Sequence, residues 1–315
     1  MNTTSHIDTL NAFDINSLPD LDTVVMGALE LFQSTSLPNL DIKFKRPLVV
    51  GSGNAEATGR IIFANSDAIF ASESDYQSKL EKITDIDGVV LISASGGKHA
   101  PLIAQQAIAM SKPVTLICNT PDSAASQALK QDVTSREYIF PKNREPYTYN
   151  TSTYMGMILG STGEDPDAIY KFIQEQTATL TFPDFSNYDK YYLIVPPEFS
   201  GIIRMLQIKF IELFGRNIAR DIETSEYVRH ATTVAPADEL FISFGEPNTT
   251  WGTPENRFHV PLPDGADYGA MMAVGYYVVA QIQKAYPHFF KDNIENYTTE
   301  VSKIFGQTIS PIVEA

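Results

Sequence analysis

From residue 45 onward, short runs of apolar and β-branched residues alternate with stretches whose apolar positions recur at helical spacing. Pro47-Leu48-Val49-Val50 predicts a strand, followed by Gly51-Ser52-Gly53 and a helix through Ile62. Ala68-Ile69-Phe70-Ala71 predicts a second strand, with a polar helix over Asp75–Ile83. Gly88-Val89-Val90-Leu91-Ile92 predicts a third, followed by the turn Ser93-Ala94-Ser95-Gly96-Gly97 and a helix over His99–Met110. Val114–Cys118 predicts a fourth, and Asp122 is the expected N-cap of a helix running to Leu129. Strands this apolar, separated by helices, imply a parallel sheet covered on both faces.

A second cycle begins near Tyr188. Tyr191–Val195 is its first strand and Ile202–Phe214 its first helix, while Leu240–Gly245 answers Val89–Gly96 as an apolar strand ending in a glycine turn. Between the cycles lie a long helix over Tyr149–Leu159 and the polar stretch Ser161–Asp189. The fold class is therefore α/β, with two doubly wound parallel-sheet lobes. The expected divisions are 1–44, an N-terminal helical extension with one amphipathic candidate at Leu21–Phe32; 45–164, the first lobe; 165–188, a link; and 189–315, the second lobe with C-terminal helices.

Composition narrows the function classes. The chain has 315 residues, of which 43% are hydrophobic and 19% charged, enough apolar content for one large core or two ordinary ones. A formal net charge of −15 argues against general binding to nucleic acid or anionic membranes, yet leaves room for a small phosphorylated ligand held by amides and hydroxyls. The single Cys118 lies in an apolar run and is expected as a small buried hydrophobe. The first 40 residues lack the pattern of a signal peptide, and Tyr268–Ile282, about 15 residues, falls short of the roughly 20 needed to span a bilayer. The expectation is a cytoplasmic protein.

In doubly wound sheets, ligands lie beyond the carboxyl ends of the strands. Two loops of the first lobe qualify: Gly51-Ser52-Gly53-Asn54 and Ser93-Ala94-Ser95-Gly96-Gly97-Lys98. Glycines let backbone amides face a ligand closely, serine hydroxyls add donors, and the following helix brings its positive end. The turn over Ser93–Gly97 is the strongest anion cradle in the chain. A dinucleotide fingerprint would need a third glycine where Glu56 stands, although Glu73 lies about 20 residues beyond Gly53, where a ribose-binding acid is found. There is no Walker lysine pattern. His6, His99, His230, His259 and His288 are scattered without paired ligand spacing, so no metal is expected.

The two-lobe layout, Gly51-Ser52-Gly53 and Ser93-Ala94-Ser95-Gly96 together resemble the SIS (sugar isomerase) family, whose lobes are flavodoxin-like, over most of residues 45–285. In that family a Ser-x-Ser-Gly-x-Thr turn grips the phosphate of a phosphosugar; here Lys98 stands in place of the threonine, and it too suits an anion. The resemblance implies a phosphate or substrate role for Gly51, Ser52, Gly53, Asn54, Ser93, Ser95, Gly96, Gly97 and Lys98. The family's Lys-x-x-Glu, on the helix after the second lobe's first strand, is matched by Lys209-Phe210-Ile211-Glu212, which makes Glu212 the implied catalytic base. On the residues alone, Lys209 and Glu212 read rather as a solvated i, i+3 pair worth a few tenths of a kcal/mol. The family's ring-opening histidine, in a His-Gly-Pro turn that often serves a neighbouring subunit, is matched by His230, followed here by Ala231-Thr232.

Arg144–Thr153 resembles the segment in which a glutamate precedes a Ser/Thr-rich helix start that lines the sugar pocket, implicating Glu145, Ser152 and Thr153. The same residues also read as an N-capped helix with a Ser/Thr-rich first turn. The C-terminal aromatics Tyr276, Tyr277, Tyr286, Phe289 and Phe290 read as packing. Lys284, Lys291 and Lys303 are candidates for the C-terminal lysine that family members place in the site. The resemblance implies a cofactor-independent phosphosugar aldose–ketose isomerase working through an enediol, active as a homodimer. An amino-sugar-phosphate deaminase or deglycase is the alternative within enzymes, and a non-catalytic sugar-phosphate-binding regulator is the alternative outside them.

Overall fold

The computed structural model describes residues 5–315; the first four residues of the stretch read as a helical extension lie outside the described residues. The chain divides into two compact units, each assembled from separated segments. One contains residues up to Ser34, Asn143–Ser152 and Glu164–Ala315; the other contains Thr35–Lys142 and Thr153–Gly163.

The chain begins with α1 (His6–Ala12) and α2 (Leu21–Ser34). Ser5 caps α1, its hydroxyl accepting from the Asp8 amide, and Glu30 of α2 binds the same end through Ser5, His6 and Ile7. The apolar face of α2 is fully buried through Leu21, Val24, Val25, Ala28 and Leu29, as the amphipathic pattern at Leu21–Phe32 predicts. The short helix α1 carries only Leu10 as a buried residue and so leaves no such periodic signal.

The Thr35–Lys142 unit follows as β1 (Pro47–Val50), α3 (Asn54–Ile62), β2 (Ile69–Ala71), α4 (Tyr76–Lys82), β3 (Gly88–Ile92), α5 (Ala100–Ala109), β4 (Val114–Cys118), α6 (Ala124–Leu129) and β5 (Arg136–Ile139). All five strands pair in parallel in the order β2-β1-β3-β4-β5, with Val49 opposite Phe70 and Val90, and Leu91 opposite Leu116. This is the flavodoxin-like order, in which ligands bind where connections diverge, between β1 and β3. Every residue of β1, β3 and β4 is buried, because helices cover both faces. Leu48, Val89, Leu91, Val114 and Leu116 meet Ile103 and Ala104 of α5 in one core. Each aliphatic side chain buried this way contributes about 1.5–3 kcal/mol. Cys118 is buried in the same core. The N-cap of α6 is Ser123, not Asp122: the Ser123 hydroxyl accepts from the Ser126 amide at 3.1 Å, while Asp122 takes a left-handed turn conformation (φ 53°).

The chain continues through β6 (Glu145–Pro146) and α7 (Thr151–Thr162), whose first two residues belong to one unit and whose remainder belongs to the other. The expected start at Tyr149 is displaced because Thr148 and Asn150 both have positive φ (76° and 46°), which the helix cannot contain. The polar stretch after α7 holds α8 (Pro166–Phe172), capped by the Asp165 side chain, and a single π turn over Ile173–Thr177.

The second sheet comprises β7 (Lys190–Val195), β8 (Ala219–Thr224), β9 (Leu240–Phe244) and β10 (Arg257–Val260), with α9 (Ile203–Phe214) and α10 (Val228–Ala231) between its first three strands. Its order is β10-β9-β7-β8, all parallel. In each sheet the first strand lies between the second and the third, so the second repeats the first in its crossover pattern. The helices α11 (Tyr268–Ala285) and α12 (Phe289–Phe305) follow, and β11 (Ile312–Val313) pairs antiparallel with β6. Among the described residues, no helix is long and apolar enough to cross a membrane.

Candidate functional site

The carboxyl ends of β1 and β3 carry the two turns singled out in the sequence. After β1, the Gly51 amide donates to Ala71 and the chain enters α3 through Gly53 and Asn54. Asn54 is buried, and its side-chain oxygen has no hydrogen-bond partner. After β3, the Ser93 amide donates to Ile117 at the end of β4. The Ser93 hydroxyl accepts from the Gly96 amide at 3.2 Å, and the Ser95 hydroxyl accepts from the Gly97 amide at 3.3 Å. A hydroxyl that accepts from an amide still has its own proton to donate, so each serine is set to relay the polarity of a backbone N–H to an anion.

The turn is held from behind. The Gly96 carbonyl accepts from Ala125 at 2.9 Å, and Ala94 accepts from Asn119 at 3.0 Å. Gly96 has φ 59°, and a Cβ there would stand 2.2 Å from the Ser123 hydroxyl, so only glycine fits. Lys98, also at positive φ (50°), is exposed beside the turn.

In the other unit, Lys209 and Glu212 sit on α9. Lys209 is completely buried, which excludes the solvated-pair reading. Its Nζ donates to the carbonyls of Tyr149 (2.8 Å) and Thr148 (3.2 Å) and to the Glu212 carboxylate (2.7 Å). It also lies over the rings of Tyr276 and Tyr149, at 5.3 and 5.5 Å. One ammonium therefore fixes both the carboxylate and the left-handed loop that precedes α7. Burial pushes the Glu212 carboxyl above its ordinary range, against the opposing pull of Lys209.

Glu212 lines a cavity of about 310 Å³ together with Thr148, Ile211 and residues of α12. None of the five α12 residues, Phe289, Phe290, Asn293, Ile294 and Tyr297, is read as a site residue in the sequence. Their spacing of 289/290, 293/294 and 297 marks one helical face, and that signal was open to recognition. The three C-terminal lysines do not line the cavity: Lys284 pairs with Asp22, Lys291 with Asp20 at 2.8 Å and Lys303 with Glu300 at 2.7 Å.

Glu145 is fully buried and caps α7, accepting from the Thr151 and Ser152 amides at 2.7 Å each and from the Ser152 hydroxyl. Burial raises its pKa, while those hydrogen bonds and the charge of Lys209 oppose the rise. The Ser152 hydroxyl also accepts from the Asn143 amide at 2.9 Å. Glu145, Ser152 and the equally buried Thr153 are not among the residues lining the cavity. The strand β11 closes over this segment, with Ile312 opposite Pro146 and the Tyr147 amide donating to Pro311 at 2.8 Å.

His230 lies apart from Glu212, in an open depression of about 560 Å³ bordered by Ser225, Glu226, Tyr227 and Arg229. Ala231 and Thr232, in place of glycine and proline, let the chain form the short helix α10, on which His230 is exposed and accepts from Arg229 Nε at 3.2 Å. Among the described residues, no three side chains of the metal-binding types come together.

No family model matches the sequence, and no curated protein matches it significantly. Solved structures do resemble the fold. The C-terminal domain of glucosamine-fructose-6-phosphate aminotransferase from Francisella tularensis gives a TM-score of 0.56 at 13% identity, covering 89% of this chain and 92% of that one. Glucosamine-6-phosphate deaminase from Thermotoga maritima gives 0.57 at 14% identity, over 84% and 92% of the two chains. Tagatose-6-phosphate ketose/aldose isomerase from Escherichia coli gives 0.56 at 14% identity, over 89% and 92%. At such identities the likeness establishes fold and no more. In fold, this chain is similar to these proteins, as the resemblance to the SIS (sugar isomerase) lobes implies.

Proposed function

We propose that the chain is a phosphosugar aldose–ketose isomerase that needs neither metal nor organic cofactor. The observation that carries this reading is the Glu212 carboxylate, lining a cavity and held in place by a fully buried lysine. Moving a carbonyl between C1 and C2 needs a base that takes a proton from one carbon and returns it to the other through an enediol. Meanwhile a hydroxyl proton passes between O1 and O2, so atoms and charge balance. A carboxylate whose pKa is raised by burial is a stronger base than an exposed one, which suits that task.

The phosphate is assigned to the turn Ser93–Lys98, with Gly51–Asn54 beside it at the divergence of β1 and β3. Two serine hydroxyls backed by amides and a lysine offer charge-assisted hydrogen bonds of about 1.5–3 kcal/mol each. His230 is assigned the ring-opening proton transfer. Its exposure, away from the Glu212 cavity, supports its acting on a second copy of the chain, and a homodimer is the simplest assembly that provides this.

The test is deuterium exchange at C2, followed by NMR, with fructose 6-phosphate, glucosamine 6-phosphate and related hexose phosphates in D2O. Exchange with at least one of them is expected. Binding without exchange across the whole panel would replace the isomerase by a sugar-phosphate sensor.

A further inference from the structure

A second cavity, of about 120 Å³, lies among α1, α2, α11 and the π turn, all in one compact unit. It shares no residue with the cavity beside Glu212. Asp22, Met26 and Ile173 line it from the buried side, and Gln174 and Ala178 are exposed at its mouth. Those last two flank the π turn over Ile173–Thr177, and single π turns of this kind are frequent at functional sites.

The polar side chains around this space offer acceptors. Asp22 is nine-tenths buried; one carboxylate oxygen accepts from Lys284 and, at 3.4 Å, from Gln281, and the other has no partner. Leaving a buried carboxylate oxygen without a donor is costly, so a donor supplied there is favoured. Lys284 reaches the first oxygen from an exposed position, where water screens its charge. The Glu30 carboxyl, held at about 2, can only accept, so His6 gives it the Nδ1 proton across 2.6 Å. The Nε2 atom of a neutral His6 is then an acceptor as well. Gln174 spends its amide nitrogen on the Tyr170 hydroxyl at 3.1 Å and keeps its carbonyl oxygen.

Tyr277 adds an aromatic ring, and burial together with the charge of Asp22 pushes its phenol up, so it stays neutral. Among the described residues that line the cavity there is no lysine or arginine. An anion would meet Asp22 with no counter-charge in the wall, whereas a cation gains from the carboxylate and from the ring.

We propose that this cavity binds a small primary alkylammonium ion, its N–H groups on Asp22, His6 and Gln174 and its alkyl chain against Met26 and Ile173. An apolar cavity of ~150 Å³ accommodates benzene, so 120 Å³ suits an amine of about five heavy atoms. The probe is n-butylamine, protonated at pH 7.5, titrated into the full chain while the backbone amide signals of Gln174 and Ala178 are followed by NMR.

Saturable shifts at both amides are expected, and 1-butanol, equal in size but uncharged, should bind at least tenfold more weakly. Asp22→Asn should weaken the amine at least tenfold. Because Asp22 also holds Lys284, Ala178→Leu provides a second variant: it obstructs the exposed mouth without touching the buried wall, and it too should weaken the amine at least tenfold. Nα-acetyl-lysine methylamide carries the same ammonium on a peptide. Its binding as tightly as butylamine would support the site and identify a lysine side chain as the source; its failure to bind would support the site and identify a free amine. Absence of saturable shifts with butylamine, equal affinities for butylamine and butanol, or an amine affinity unchanged in Ala178→Leu would each overturn the proposal.

Discussion

Lys209→Met removes an ammonium and keeps most of the stem that supports it. Its consequences follow from the three acceptors at 2.7, 2.8 and 3.2 Å. The Thr148 and Tyr149 carbonyls lose a donor, and Glu212 is left as a partly buried carboxylate with no counter-charge. Breaking a buried ion pair on one side costs about 3–5 kcal/mol, whereas an exposed i, i+3 pair is worth a few tenths. The cost is expected to depend on pH. Glu212 has a raised pKa, so the folded state holds its proton more tightly than the unfolded one. Its contribution to stability therefore falls as pH rises from about 4.5 through the raised folded value. Without Lys209 that value rises further, and the loss extends to higher pH. Urea unfolding of Lys209→Met, followed through the single Trp251, should show a deficit of about 3–5 kcal/mol at pH 8 and a smaller one at pH 5. The double variant with Glu212→Gln should recover part of the pH 8 deficit. A deficit below about 1 kcal/mol, or one identical at the two pH values, would refute the coupling.

Two further outcomes follow from other parts of the structure. Gly96→Ala would force a side chain into φ 59° and against the Ser123 hydroxyl, so a loss of about 2 kcal/mol is expected in thermal unfolding, with at least tenfold weaker binding of inorganic phosphate by titration; unchanged phosphate affinity would remove the turn from the anion site. Burial would raise the Glu30 carboxyl, but hydrogen bonds from His6, Ile7 and Ser5 together hold it at about 2. The contact between α1 and Glu30 is therefore fully stabilising above about 4.5 and lost as pH falls toward 2, so amides of residues 6–12 should exchange faster at pH 3 than at pH 7 after correction for intrinsic rates, and Glu30→Gln should abolish the difference.

The sheets were readable from the chain because parallel strands buried on both faces leave uninterrupted apolar runs, as at Val89–Ile92 and Leu240–Phe244. The serine turn was readable for a similar local reason: its glycines, hydroxyls and following helix are contiguous. Lys209 and Glu212 were legible as a pair, but their environment was not. The helical spacing is the same for a solvated pair, and what buries Lys209 is the Thr148–Tyr149 backbone some 60 residues away in sequence. The cavity wall on α12 escaped for the same reason, since aromatics at 289, 290 and 297 look alike whether they fill a core or line a space. Helix α1 is too short for periodicity to reveal, and depends on a carboxylate 23 to 25 residues away. The exchanged cap at α6 was a contest between adjacent Asp122 and Ser123, decided by which of them could keep extended geometry.

The central claim is that Glu212 moves the proton. The rate of deuterium incorporation at C2 of the accepted sugar phosphate, measured in wild type and in Glu212→Gln, tests it most directly. A general base contributes about 10²–10⁴-fold, so the variant should exchange at least a hundredfold more slowly while still binding the sugar phosphate. Exchange within a few-fold of the wild-type rate would contradict the account.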